Sequence, residues 1–216
     1  MTTIRPDIPA PPRRMWKLPI DGRGYPVPKF VWRKEDGTYD FRVVEPGWLF
    51  HCIRHKTCWL CGEPLGRNMV FVVGPMCVVN RASGEPPCHL ECARYAAQAC
   101  PFMVRPHAKR RQAGIDEIVA NGGGFNPAGL ERNPGATALY ITGNYRWLSD
   151  VKVIRMGAPD RVEWWAEGRA ATRAEIERSI ETGKPLLMKD AQVEGPAAVR
   201  ELERLLKQAE PLLPSA

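Results

Sequence analysis

Cys58-Trp59-Leu60-Cys61-Gly62 and His89-Leu90-Glu91-Cys92 constrain this chain more than any other stretch. Each places two metal-ligating side chains two residues apart, the spacing at which one short turn can chelate a single ion. Two such pairs can close a tetrahedron of thiolate and imidazole donors around Zn²⁺. All seven cysteines lie between Cys52 and Cys100, so whatever thiol chemistry the chain has is confined to that window.

Four protein donors leave no coordination position for water, so the expected role is one structural Zn²⁺ held by Cys58, Cys61, His89 and Cys92. Metal binding then contributes directly to folding. Cys88 precedes His89 and is an alternative third ligand. Positions i and i+3 share a helix face, which favours His89 with Cys92 over Cys88 with Cys92. His51, Cys52, His55, Cys77 and Cys100 are left as material for a second site, although Cys77 reads as core and Cys100 as packing under a helix end.

An odd number of cysteines without an export signal fits reduced thiols holding a metal better than a disulfide framework. The N-terminal segment has no apolar core of the signal-peptide kind. The longest nearly apolar run, Met69 to Val79, is broken by Gly74-Pro75 and is too short to cross a bilayer. With 44% hydrophobic and 25% charged residues, the composition is that of a soluble globular protein. The expectation is a soluble cytoplasmic protein with no membrane partner.

Three stretches follow in order. Residues 1–47 are proline-rich and basic; they read as an extended arm anchored by Trp16, Tyr25 and Phe30, with a short hairpin turning at Glu35-Asp-Gly-Thr38. Residues 48–112 hold the cysteine window. There Met69-Val-Phe-Val-Val73 and Met76-Cys-Val-Val79 read as two strands around Gly74-Pro75. Pro86-Pro87 then opens a helix carrying His89 and Cys92, which stops at Cys100-Pro101. Knuckle, β-hairpin and ligand-bearing helix in that order are the layout of a treble-clef zinc module.

Residues 113–216 read as an α+β region that can share one core with the module. A short helix is expected over Ile115–Ala120, then a glycine-rich loop reaching Pro134. Strands are expected at Thr137–Thr142, Val151–Arg155 and Arg161–Trp165. Thr172-Arg-Ala-Glu175 is a capping box, so a helix is expected from Arg173 to Gly183, ended by Pro185. A last helix from Pro196 carries Val199, Leu202, Leu205 and Leu206 on one face. The fold class is therefore α+β: a treble-clef module packed with a small antiparallel sheet and C-terminal helices.

Charge is uneven. Residues 1–112 carry 18 Lys/Arg against 9 Asp/Glu, whereas residues 113–216 carry 13 against 15. The densest cations are Arg105, Lys109, Arg110 and Arg111, just beyond the cysteines. With Arg13, Arg14, Trp16, Lys17, Lys29, Trp32, Arg33 and Lys34 they suggest contact with a nucleic-acid backbone. Catalysis has little support. No nucleophile elbow, phosphate loop or dinucleotide fingerprint is present, and no small-molecule substrate is indicated. A nuclease of the His-Asn-His kind needs a hairpin histidine, and the expected hairpin offers only Asn80.

The stretches Cys58-Trp-Leu-Cys-Gly-Glu-Pro-Leu-Gly66, Phe71 to Arg81, Glu85-Pro-Pro-Cys-His-Leu-Glu-Cys92 and Cys100-Pro-Phe102 resemble a group of uncharacterised proteins of bacteriophages and prophages. The likeness covers about residues 58–105, and more weakly Glu163 to Thr172. It implies a small phage-type accessory protein acting in a bacterial host cytoplasm, and it carries no established activity. The expected function is non-catalytic contact with nucleic acid or a nucleic-acid-handling complex. The alternatives are an adaptor or inhibitor acting on a host or phage protein, and a metal-dependent nuclease.

Overall fold

A computed structural model describes residues 4–106, 108–109, 111–116 and 132–215. Its elements begin with a hairpin of β1 (Val31–Arg33) and β2 (Tyr39–Val44), followed by helix α1 (Trp48–His55). Then come β3 (Met69–Val73), α2 (Pro75–Asn80), β4 (Ala82–Ser83) and α3 (Leu90–Ala99). Strands β5 (Thr137–Thr142), β6 (Tyr145–Leu148), β7 (Val153–Met156), β8 (Arg161–Ala166) and β9 (Arg169–Ala170) follow. Helices α4 (Arg173–Glu194) and α5 (Pro196–Ala209) complete the order. Strands and helices mix with wholly antiparallel pairing, so the fold is α+β.

The main sheet runs β3-β5-β8-β9, and a smaller one runs β4-β7-β6. Strand β5 is buried at every position because both faces of the main sheet are covered. Successive side chains point to opposite faces. Leu139 and Ile141 enter a cluster with Met15, Leu18, Val70 and the knuckle cysteines. Ala138 and Tyr140 enter another with Phe71, Ile154, Met156, Trp164 and Ile176. The knuckle and α3 therefore sit on one side of β5, with Cys77 of α2, α4 and the small sheet on the other.

Two sequence expectations fail for physical reasons. Met76–Val79 is helical, not a strand, despite its β-branched residues. Gly74 is extended and Pro75 occupies the first turn, where its fixed φ favours a helix and its missing N–H costs nothing. Val79 then packs with Ala191 and Leu202 of the two C-terminal helices. The second failure is at Pro185, which lies inside α4 and does not end it. Beyond it, Leu187, Met188 and Ala191 pack in the same cluster as α5, and that burial carries the helix past the lost hydrogen bond. Gly183, read as a helix end, is instead where α4 crosses α2. A Cβ there would lie 2.5 Å from Met76 Cγ.

Two other elements match the expectation, whereas the strand expected at Val151–Arg155 begins only at Val153. Thr172 and Glu175 form the reciprocal capping box, and α5 turns Val199, Leu202, Leu205 and Leu206 onto α4. Ile115 and Asp116 are helical; residues 117–120 and the glycine run lie outside the described residues. The arm is anchored by Met15 and Leu18, not Trp16. Trp16 is 69% exposed and donates through its indole N–H to the Pro11 carbonyl. No helix among the described residues is long and apolar enough to cross a membrane.

Candidate metal centre and cationic strip

The Cys58–Cys61 pair sits in a tight loop closed by an isolated bridge between Thr57 and Pro64. Cys58 N–H donates to Glu63 O at 2.8 Å, and Gly62 N–H to Cys58 O at 2.9 Å. Gly62 has φ of +81°, and a Cβ there would press on Lys29 and Trp48 at 3.2 and 3.3 Å. Only glycine fits that turn without strain. The loop is seated by Trp59, buried and stacked on Phe30 with ring centroids 5.0 Å apart. The Trp48 indole donates to Trp59 O.

The second pair comes from the head of α3. His89 is the N-cap residue in extended conformation, and Cys92 lies in the first turn. Donor atoms of Cys58, Cys61, His89 and Cys92 all lie within 4.8 Å of one another, close enough to hold a metal ion such as zinc. A tetrahedral zinc with three sulfurs and one nitrogen has ligand-to-ligand edges of about 3.5–3.8 Å. Cys61 Sγ and His89 Nδ1 stand at 3.4 Å. His89 Nε2 donates to the Pro64 carbonyl at 3.0 Å. A carbonyl only accepts, so that bond fixes the ring with Nδ1 toward the sulfurs, as an outer partner does for a metal-bound imidazole.

Hydrogen bonds from Cys61, Cys88 and Cys92 hold the Cys58 thiol well below its usual range. Those to Cys58 and then Cys61 push Cys92 up and raise the His89 imidazole to about 10. Cys92 and His89 thus hold their protons beside a Cys58 thiolate. A cation seated among them would displace those protons. Cys88 is buried, its thiol pushed up first by that burial, and it does not join the four converging donors. Its backbone is engaged instead with Val70, in an isolated antiparallel bridge.

Around this centre, Arg14 of the arm reaches Glu63 and Glu91, both at 2.7 Å. One carboxylate follows the first ligand pair and the other lies within the second. Arg14, read from sequence as a phosphate contact, is thus engaged as a strap across the centre. Cys52 is buried, with Thr57 Oγ1 donating to its sulfur at 3.5 Å, and burial pushes its thiol up to about 12. Cys77 lies in α2 and Cys100 at the C-cap of α3. Among the described residues, no second group of three or more Cys, His or acidic donors converges.

The basic cluster beyond α3 has its own framework. Buried Asn133 donates through Nδ2 to the carbonyls of Phe102, Met103 and Arg105, at 2.7, 3.0 and 2.9 Å. Arg42 donates to the carbonyls of Arg111 and Ala113, at 3.0 and 2.9 Å. Arg42 is itself held by Asp40, whose carboxyl lies below the usual range chiefly through that hydrogen bonding. With the backbone pinned in two places, Arg105, Lys109 and Arg111 are exposed. Arg110 lies outside the described residues. Arg132 joins them by pairing with Lys109 in an antiparallel bridge. Sequence spacing offered no sign of this, since a long glycine-rich stretch separates the two.

None of Arg105, Lys109, Arg111 and Arg132 has a carboxylate within ion-pair distance among the described residues. Lys109 and Arg132 stand opposite each other, an arrangement of like charges that costs stability unless an anion lies nearby. No protein-family model matches this chain, and neither a curated protein nor a solved structure matches it.

Proposed function

We propose that this chain is a non-catalytic, zinc-stabilised accessory protein of phage type that contacts nucleic acid through Arg105, Lys109, Arg111 and Arg132. Arg110 belongs to the same run in sequence. The observation that carries the reading is the strip itself: four cations with no carboxylate partner among the described residues, on backbone held by Asn133 and Arg42. Phosphate contacts need this combination of unpaired charge and fixed spacing. The zinc module is read as a treble-clef variant. Its knuckle and ligand-bearing helix are conventional, but its hairpin is reduced to one bridge, Val70 to Cys88, with α2 and β4 inserted between.

Fluorescence anisotropy with labelled DNA and RNA across a salt series tests the reading. Four phosphate contacts give a slope of about −3 to −4 in log K against log salt. Replacing Lys109, Arg111 and Arg132 together with alanine should flatten the slope and weaken binding to every sequence alike. Undiminished affinity in that variant removes the strip from the function. A cleaved probe in the presence of Mg²⁺ or Mn²⁺ would overturn the non-catalytic part.

A further inference from the structure

Helix α1 presents a second arrangement of nitrogen donors that the zinc cluster does not use. His51 and His55 are four residues apart on its exposed side, where side chains of adjacent turns meet. Their ring centroids are 4.7 Å apart and tilted by 40°. The outer neighbour of the pair is Trp48, stacked nearly parallel on His51 at 4.8 Å and 11°. The Trp48 indole is anchored by its bond to Trp59 O at 3.2 Å. Rotation of the His51 ring is therefore restricted before any ligand arrives. Neither imidazole has a hydrogen-bond partner among the described residues, so their ring nitrogens remain open to a ligand.

We propose that His51 and His55 form an exposed site for a borderline divalent transition ion such as Ni²⁺, Cu²⁺ or Zn²⁺, separate from the cluster of Cys58, Cys61, His89 and Cys92. Two histidines at i and i+4 on one helix face are a recurrent metal-chelating pair. Imidazole nitrogen selects these ions over Mg²⁺, Ca²⁺ and Mn²⁺, which require oxygen donors. Cys52, between the histidines in sequence, is buried and accepts a hydrogen bond from the Thr57 hydroxyl. The site is thus a two-nitrogen one, with its remaining positions open to water or an external ligand. Arg54 and Lys56, both exposed, flank it and favour an anion as that ligand. An open, exchangeable ion of this kind differs in use from a closed structural one.

Titration of the zinc-loaded protein with Ni²⁺, followed by calorimetry, reads the site directly. The expected result is binding of a single Ni²⁺ per chain with micromolar affinity, no zinc release and no heat with Mg²⁺ or Mn²⁺. His51→Ala and His55→Ala should each weaken it by roughly tenfold or more. Both side chains are exposed, so zinc content and helical circular dichroism should stay at wild-type values. Ni²⁺ should also broaden the two imidazole resonances and the Trp48 indole resonance. Absence of Ni²⁺ binding, unchanged affinity in either variant, or displacement of zinc with thiolate-to-nickel absorption would each overturn the assignment.

Discussion

Val70 and Cys88 exchange both backbone hydrogen bonds, at 3.0 and 2.7 Å, and so join the strand after the knuckle to the chain entering α3. This bridge brings the two ligand pairs together. It also places the backbone of Cys88 in an extended segment, where adjacent side chains diverge. His89 consequently turns toward Cys61 while Cys88 remains outside the converging set.

Metal content should follow that geometry. Cys88→Ala is expected to retain the full zinc complement and to lose about 1–2 kcal/mol of stability, as for a small buried side chain. Cys58→Ser, Cys61→Ser and Cys92→Ser should each lose metal and unfold on mild heating. Elemental analysis with thermal melting checks all four. Zinc loss in Cys88→Ala would move the third ligand to that residue.

Asn133 should matter to stability out of proportion to its size. Its amide serves three carbonyls, and it is 1% exposed. Asn133→Ala removes that amide from a part-buried junction and is expected to cost about 1–3 kcal/mol. Urea denaturation measures the loss. Hydrogen exchange should quicken around residues 102–109 before it quickens in α3.

Acid should loosen the strip through Asp40. Its folded-state value is depressed by Arg42, so its contribution is present above the unfolded value of about 3.9 and is lost as pH falls through the lower folded value. Wild-type stability should therefore drop below about pH 4. Asp40→Asn should start less stable near neutrality and show a shallower drop there. Urea midpoints from pH 6 to pH 3 make the comparison, and parallel curves would count against the Asp40–Arg42 clamp.

In α4, two neighbouring substitutions should move stability in opposite directions. Pro185 is exposed and lies within a continuous helix, so Pro185→Ala restores a backbone donor and should raise stability by about 1–3 kcal/mol. Gly183→Ala gains helix propensity but forces a Cβ against Met76 Cγ, and should lower the melting temperature. The order of the two melting temperatures relative to wild type is the readout.

Much of the metal centre was legible because its chemistry is local. Ligand spacing, the prolines before His89 and the Cys100-Pro101 stop all lie within a few residues of what they determine. The capping box at Thr172 and the apolar stripe of α5 were readable for the same reason. Met76–Val79 was not, because β-branched content outweighed the one residue that decides the start, Pro75. Pro185 misled in the opposite direction, since packing of Leu187 and Met188 on α5 overrides a local breaker. Arg132, Asn133 and Arg42 were invisible as members of the strip: each acts across tens of residues, and nothing in linear order ties them to Lys109.

The pairing of β3 with β5 has a consequence for biosynthesis. Residues 69–73 emerge from a ribosome well before residues 137–142, yet β3 pairs with β5 along its whole length and its Val70 and Phe71 are fully buried in the fold. Until β5 arrives, β3 is an apolar edge with unpaired backbone groups, the kind of template on which nascent chains stick to one another. Early capture of the metal by Cys58, Cys61, His89 and Cys92 could tether one flank of that edge in the interval. A chain truncated before residue 137 should accordingly accumulate as aggregate even when its metal is in place.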